Sequence, residues 1–350
     1  MTGIGVALAV LLAAGGVAAQ DSKRVSRECR REIVQTCGMT MDRSKMRECV
    51  MAKASTLSEG CRAELMERMK ARMRDGEGES RTQGGTEMSY GREPLQNLDF
   101  FRAKADRTAP LLVFVHGGGW KQGDKRTAIG KDLVPHYQAQ GYAVASVNYR
   151  LVPGATVEQQ AADVAASIAY LRSNAVKLGI DPARIVMMGH SAGAHLVALV
   201  GTDPEYLRSV GLGMDAVRGV IPNDGAAYDV SAQMVDGNRM MQDTYKQAFG
   251  TNPVRQRSLS PTFQAGGANA PSFLLIHVQR ADGVRQSKAL ADALRMAGTR
   301  VQLNGFPGDG MTGHMAINRQ LGDPAYPATP VVDAWLKGVF GLGSKQIGIN

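Results

Sequence analysis

The 350-residue chain predicts an α/β fold, a mostly parallel central sheet with helices on both faces, preceded by a small disulfide-stapled helical module. Three observations predict it. From Leu111 to Phe340, short continuously apolar runs alternate with segments of helical period, the pattern of a parallel sheet buried on both faces. All four cysteines cluster between Cys29 and Cys61. A polar, Gly-rich stretch from Asp75 to Met88 separates the two regions and lacks any apolar period. A hydrophobic fraction of 44% and a charged fraction of 21% are those of a globular chain and exclude wholesale disorder. Beyond Ile4 to Ala19 no apolar run approaches the ~18 residues a membrane helix needs, which excludes a polytopic membrane protein.

Residues 1–19 read as a secretory signal peptide. An apolar core, Val6 to Ala14, leads to the small residues Val17-Ala18-Ala19 and then to Gln20-Asp21-Ser22. The first 20 residues carry no charge, so the usual basic start is missing, and a retained N-terminal anchor is the alternative. The expected location is secreted or periplasmic. The cysteines agree with export: Cys29, Cys37, Cys49 and Cys61 form an even, clustered set that reads as two disulfides. Zinc is disfavoured, because no CxxC pair occurs and no histidine precedes His116. Three pairings can form; nested bridges, Cys29–Cys61 with Cys37–Cys49, suit an antiparallel helical hairpin.

Residues 20–75 therefore read as a Cys-rich helical module. Leu65, Met66, Met69 and Met73 fall at helical spacing after Cys61. Residues 21–75 hold 14 Lys+Arg against 9 Asp+Glu, whereas residues 76–350 hold 27 against 23, so the module is the basic part. A weak association with an anionic surface is the functional expectation, and a solvated helical face is the bland one. Aromatic stacking residues are absent from this stretch, which argues against nucleic acid as a partner. The eight methionines between Met39 and Met88 read as core filler more readily than as soft-metal ligands. The spacing Cys-x7-Cys-x11-Cys-x11-Cys resembles the repeat of the Golgi cysteine-rich glycoprotein family, which implies a stapled helical module and no activity. Residues 76–89 are the expected linker, and a large domain is expected over 90–345.

In the large domain, Leu111 to Val115 and Tyr142 to Val147 are strand candidates. Val164, Ile168, Leu171 and Val176 give Val157 to Lys177 a helical period that Gly179 ends. Strands follow at Ile185–Met188, Val217–Ile221, Phe273–His277 and Val301–Leu303, with helices at Val284–Met296 and Val331–Phe340. In such a sheet, reactive side chains gather beyond the carboxyl ends of the strands.

Two motifs lie at those ends. Gly189-His190-Ser191-Ala192-Gly193 stands directly between the strand at Ile185–Met188 and a helix over Ala192–Val200. That context suits a nucleophile elbow, in which Ser projects from a sharp strand-to-helix turn and flanking glycines let the two elements pass closely. His116-Gly117-Gly118-Gly119-Trp120 ends the strand Leu111–Val115, and its glycines let backbone N–H groups converge on one point. An acid and a base should follow in the order Ser, Asp, His. Asp282 follows the strand Phe273–His277, and His314 follows Val301–Leu303, each expected in a loop. Asp224, after Val220-Ile221, and Asp309 are the competing acids; Asp224 could instead hold a pocket loop.

These residues, with Ser146-Val-Asn-Tyr-Arg-Leu151, His277-Val-Gln-Arg-Ala-Asp282 and Gly313-His314-Met-Ala-Ile-Asn-Arg319, make Tyr90 to about Gly343 resemble the α/β-hydrolases. Within them it resembles bacterial proteins similar to bifunctional feruloyl/acetyl-xylan esterases and to kynurenine formamidases. The resemblance implies a serine hydrolase of small or medium carboxylic esters. Ser191 would be the nucleophile, His314 the base and Asp282 the acid that orients it. Similarity to hormone-sensitive-lipase-like esterases implies an oxyanion hole from the N–H groups of Gly118, Gly119 and Ala192. Such chemistry needs no metal or organic cofactor, and its rate should rise with pH through the histidine range, about 6–7. The rivals are an arylformamidase and a binding scaffold without turnover. This chain departs from the family pattern at His277-Val, where His-Gly is common, and at Asp282, which no Pro follows.

Overall fold

In the computed structural model the described residues are 25–38, 46, 49–50, 52–67, 85–104, 108–237 and 241–342. The expected signal peptide and the helical positions Met69 and Met73 lie outside them. The chain divides into two compact units, residues 1–76 and 77–350.

In the first unit, helix α1 (Arg27–Cys37) opens on Ser26, whose hydroxyl accepts the Cys29 N–H, and residues 59–67 are again helical. Disulfides join Cys29 to Cys61 and Cys37 to Cys49, a nested pair. Cys29, Cys61 and Leu57 form a small buried cluster flanked by Val25, Ile33, Val50 and Leu65. A core that small depends on its covalent staples. Among the described residues no helix is long and apolar enough to cross a membrane.

The second unit is built on an eight-stranded sheet: β1 (Thr86–Ser89), β2 (Asn97–Phe101), β3 (Ala109–Val115), β4 (Ala143–Val147), β5 (Ile180–His190), β6 (Gly219–Asn223), β7 (Ser272–His277) and β8 (Arg300–Gly305). Their order is β1-β2-β4-β3-β5-β6-β7-β8. β1 and β2 pair antiparallel, as do β2 and β4, and the strands from β4 to β8 run parallel. β1 lies inside the stretch read as linker, which corrects the boundary at residue 90. It is a short, mostly exposed edge strand, so no buried apolar alternation marks it.

Strand β3 shows how the two faces are filled. Leu111, Val113 and Val115 point into one core with helices α3 (Val157–Ser173) and α4 (Ala192–Thr202). Leu112 and Phe114 point into the other, with α2 (Leu133–Ala139) and α9 (Ala328–Val339). Alternate residues serve opposite faces, so a strand buried on both must be apolar throughout. A capping box at Thr156 and Gln159 starts α3. Between β6 and β7 the chain carries α5 (Val230–Asp236) and α6 (Gln242–Phe249). After β7 and β8 come α7 (Ala281–Met296) and α8 (Gly310–Arg319).

Candidate active site

Ser191 sits between β5 and α4 with φ 56° and ψ −118°, outside the regions open to ordinary L-residues. Packing maintains that strain. A Cβ on Gly189 would stand 2.2 Å from Gly193 O, and one on Gly193 would stand 2.2 Å from Val115 O. Only residues without side chains let strand and helix cross this closely. The Ser191 N–H donates to Asn223 O, at the end of β6, at 3.1 Å. Among the described residues no hydrogen bond fixes the Ser191 hydroxyl.

The His116–Trp120 loop folds directly against this elbow. A Cβ on Gly117 would lie 2.9 Å from both His190 O and Ser191 Cβ. Gly118 adopts φ 122°, where its carbonyl accepts from the N–H groups of Lys121 and Gln122 at 3.3 and 3.2 Å. Trp120 anchors the loop from behind: its carbonyl accepts from Val152 N–H at 3.0 Å and Gln160 Nε2 at 2.7 Å, and its Nε1–H donates to His195 Nδ1 at 3.3 Å. His116 is a pin. It stacks on Tyr149 with ring centroids 4.3 Å apart, its carbonyl accepts the Tyr149 hydroxyl at 2.9 Å, and burial lowers its pKa to about 4. Ala192, the third expected oxyanion donor, is buried at the first position of α4.

His314 lies within α8, not in a loop, and its ring packs on that of His190 with centroids 4.5 Å apart. His190 Nε2–H donates to His314 O at 2.9 Å, tying this helix to the elbow. The acid facing His314 is Asp224. His314 Nδ1–H donates to Asp224 Oδ2 at 2.6 Å. Asp224 leaves β6 at φ 44° and is fully buried, and its Oδ1 accepts the Val278 N–H at 3.0 Å.

This corrects the expectation for Asp282. That residue lies in the first turn of α7 and accepts from Gly283 N–H at 2.9 Å and Gln233 Nε2 at 3.1 Å. Arg280 pairs with it at 3.3 Å and with Asp224 at 2.9 Å. Chain order could not separate the two acids. Both precede His314, and both follow neighbouring parallel strands, β6 and β7. Gln233, Tyr245 and Arg280 complete the surroundings; Arg280 lies inside the His277–Asp282 motif, but nothing in the sequence assigned Gln233 or Arg280 a partner. Gln233 Nε2 donates to the Tyr245 hydroxyl at 3.0 Å as well as to Asp282. Helix α6 and the residue before it roof the oxyanion loop: a Cβ on Gly119 would meet Thr244 Cγ2 at 3.0 Å and Met241 Cε at 3.3 Å.

Electrostatics separates the roles. Burial alone would raise the Asp224 pKa, but the His314 hydrogen bond and the Arg280 charge outweigh it and hold the carboxyl well below its usual range. Burial pushes His314 below an ordinary histidine; its bond to Asp224 opposes this, and the Arg280 charge adds to it. Burial, helped by the nearby His314, pushes His190 down further. Asp224 is therefore ionised and His314 neutral at pH 7. Among the described residues no group of three or more His, Cys, Asp or Glu could hold a metal ion.

Residues 98–294 match the family model BD-FAE. The chain belongs to this family. Among its relatives, it is 32% identical to esterase LipC of Mycobacterium tuberculosis over 218 residues, 59% of this chain and 54% of that one. It is 36% identical over 110 residues to the isoprenylcysteine alpha-carbonyl methylesterase ICME of Arabidopsis thaliana, 31% of this chain and 25% of that one. The chain spans about half the length of the curated relatives LipC and LipQ of Mycobacterium tuberculosis. Among solved structures, esterase B of Lactobacillus rhamnosus superposes with a TM-score of 0.64 at 21% identity, covering 84% of this chain and 95% of that one. An acetyl ester-xyloside bifunctional hydrolase of Caldicellulosiruptor lactoaceticus superposes with a TM-score of 0.59 at 21% identity, over 73% and 96%. These likenesses establish an α/β-hydrolase fold.

Proposed function

We propose that the chain hydrolyses small or medium carboxylic esters through an acyl-enzyme on Ser191. One observation carries the reading: a strained serine elbow, a Gly-rich loop folded against it and a buried His314–Asp224 pair meet at the carboxyl ends of β3, β5, β6 and β8. In this reading Ser191 Oγ attacks the ester carbonyl while His314 Nε2 takes its proton, closing a Ser–His hydrogen bond that forms with substrate bound. Asp224 keeps the Nδ1–H tautomer and stabilises the imidazolium. The tetrahedral oxyanion is held by N–H groups of Gly118, Gly119 and Ala192, each worth about 3–4 kcal/mol in comparable sites. Collapse expels the alcohol with the proton from His314. Water then repeats the sequence and releases the acid.

Family membership and the named esterases among the relatives support ester chemistry over the other readings. The disulfides fit an oxidising compartment, and we place the chain outside the cytosol. The test is a Ser191→Ala variant assayed on a panel of p-nitrophenyl esters and on N-formylkynurenine. The expected result is ester turnover that Ser191→Ala abolishes, with the fold intact by circular dichroism. Turnover unchanged in that variant, or wild-type turnover confined to the formamide, would refute the reading.

A further inference from the structure

Arg280 stands between the two carboxylates that chain order made rivals. Its Nε donates to Asp224 Oδ2 at 2.9 Å, its Nη2 to Asp224 O at 3.2 Å, and its Nη1 faces Asp282 Oδ1 at 3.3 Å. The side chain is only 16% exposed, so these contacts act with little screening by water. Asp224 Oδ2 thus receives two donors, Arg280 Nε and His314 Nδ1, while Oδ1 receives Val278 N–H. A planar fork of donors on one face leaves Asp224 one rotamer in which every bond is made.

That arrangement raises an electrostatic difficulty. A carboxylate assists a catalytic imidazole because its charge stabilises the imidazolium. A cation on the same oxygen cancels much of that charge. Asp282, on the other side of the guanidinium, restores it, and the three groups together sum to a single negative charge. The remaining groups around His314 do not alter this sum near neutrality. His190, from the elbow, is buried and held well below the usual histidine range. Tyr228 and Tyr326, which sense Asp224, are pushed up by burial and stay neutral. Asp309 and Arg319, at the two ends of α8, are exposed.

We propose that Arg280 is a positioning residue and Asp282 its counter-charge: the guanidinium locks Asp224 onto His314 and keeps Asp282 off the ring, and Asp282 returns the negative charge that the guanidinium removes. This rests on the Ser191–His314–Asp224 reading. It explains why both acids lie at the site although one alone touches the base.

The test is the acid limb of kcat/KM for p-nitrophenyl acetate between pH 4 and 9, measured on the full chain. Arg280→Gln leaves two uncompensated carboxylates and should move the midpoint up by about 0.5–1 pH unit. Asp282→Asn leaves a neutral cluster and should move it down by a similar amount. The double variant restores the single negative charge, and its midpoint should return to within about 0.3 unit of wild type. Arg280→Lys keeps the charge without the fork, so its midpoint should hold while kcat falls. A purely structural role would lower rates without opposite shifts. Singles that shift the same way, or not at all, overturn the proposal, provided the wild-type chain is labelled at Ser191 by a fluorophosphonate. Failure of the wild-type chain to be labelled would sink the underlying reading instead, and this inference with it. If Arg280→Gln does not fold, Asp282→Asn decides: an unmoved midpoint overturns the proposal.

Discussion

Replacing each candidate acid by its amide separates Asp224 from Asp282. At Asp224 every neighbour is a donor: Val278 N–H at Oδ1, and Arg280 Nε with His314 Nδ1 at Oδ2. An asparagine has one acceptor oxygen and one NH2 group, so a donor must face a donor somewhere. If the NH2 meets His314, Nδ1 has to accept, and the ring proton moves to Nε2, where it blocks the base. If the NH2 meets Val278, the backbone bond is lost at a cost of about 1–3 kcal/mol of stability, and a neutral oxygen is left beside the imidazolium. Either way Asp224→Asn should lower kcat by about 10³–10⁴, or roughly 4–5.5 kcal/mol of barrier. Asp282 has no contact with the ring, and its acceptor sites face Gly283 N–H, Gln233 and Arg280. Asp282→Asn should cost less than about tenfold at pH 8, where His314 is neutral in either protein. The assay is steady-state turnover of p-nitrophenyl acetate, with melting temperatures measured alongside. A large loss in Asp282→Asn with Asp224→Asn within tenfold of wild type would refute the assignment.

Other predictions follow from the same contacts. Gly193→Ala would place a methyl 2.2 Å from Val115 O and 2.5 Å from His116 O, so it should lower stability by about 3 kcal/mol or more and abolish turnover; a variant with wild-type melting temperature and rate would contradict the packing. His116 and His195 are both held at about 4 by burial, below 6.5, so the unfolded chain takes up protons first. Their contribution is intact above pH 6.5 and is lost as pH falls towards 4, on the order of 3 kcal/mol each at the limit; urea midpoints that do not fall between pH 7.5 and 4.5 would contradict this. Reducing the Cys29–Cys61 bridge, which closes a separation of 32 residues, should destabilise the N-terminal unit by about 2–4 kcal/mol, seen as faster proteolysis within residues 25–67.

The parallel core was legible because burial on both faces forces continuous apolar runs; β3 is buried at all seven positions. The elbow was legible because close passage of strand and helix leaves no room for side chains at Gly189 and Gly193. The first two strands were hidden for opposite reasons. β1 is exposed, and β2 places the charge of Asp99 in the interior, where Arg126 Nε donates to it at 2.6 Å and Lys125 pairs with it at 3.2 Å. A pattern of apolar residues cannot register a strand stabilised by a buried ion pair. Asp282 was expected beside His314, where Asp224 stands, because the sequence gives the order of loops and not their reach. Asp224-Gly225 announces a turn in the sequence, but that the aspartate itself takes φ 44° and so reaches His314 is a tertiary outcome. Arg280 and Gln233 owe their roles to partners 56 and 49 residues away.

The end of β6 also ties Ser191 and the carboxylate that meets His314 to one support. Asn223 receives the Ser191 amide through its carbonyl, and the next residue is the acid that meets His314. Asp224 is stitched in turn to β7 through Ile276 O at 2.7 Å. Thermal breathing of that sheet corner must carry serine and carboxylate together, leaving their spacing largely unchanged. Replacing the loops around the corner to enlarge the acyl side is therefore a safer route to altered selectivity than any change at positions 222–224.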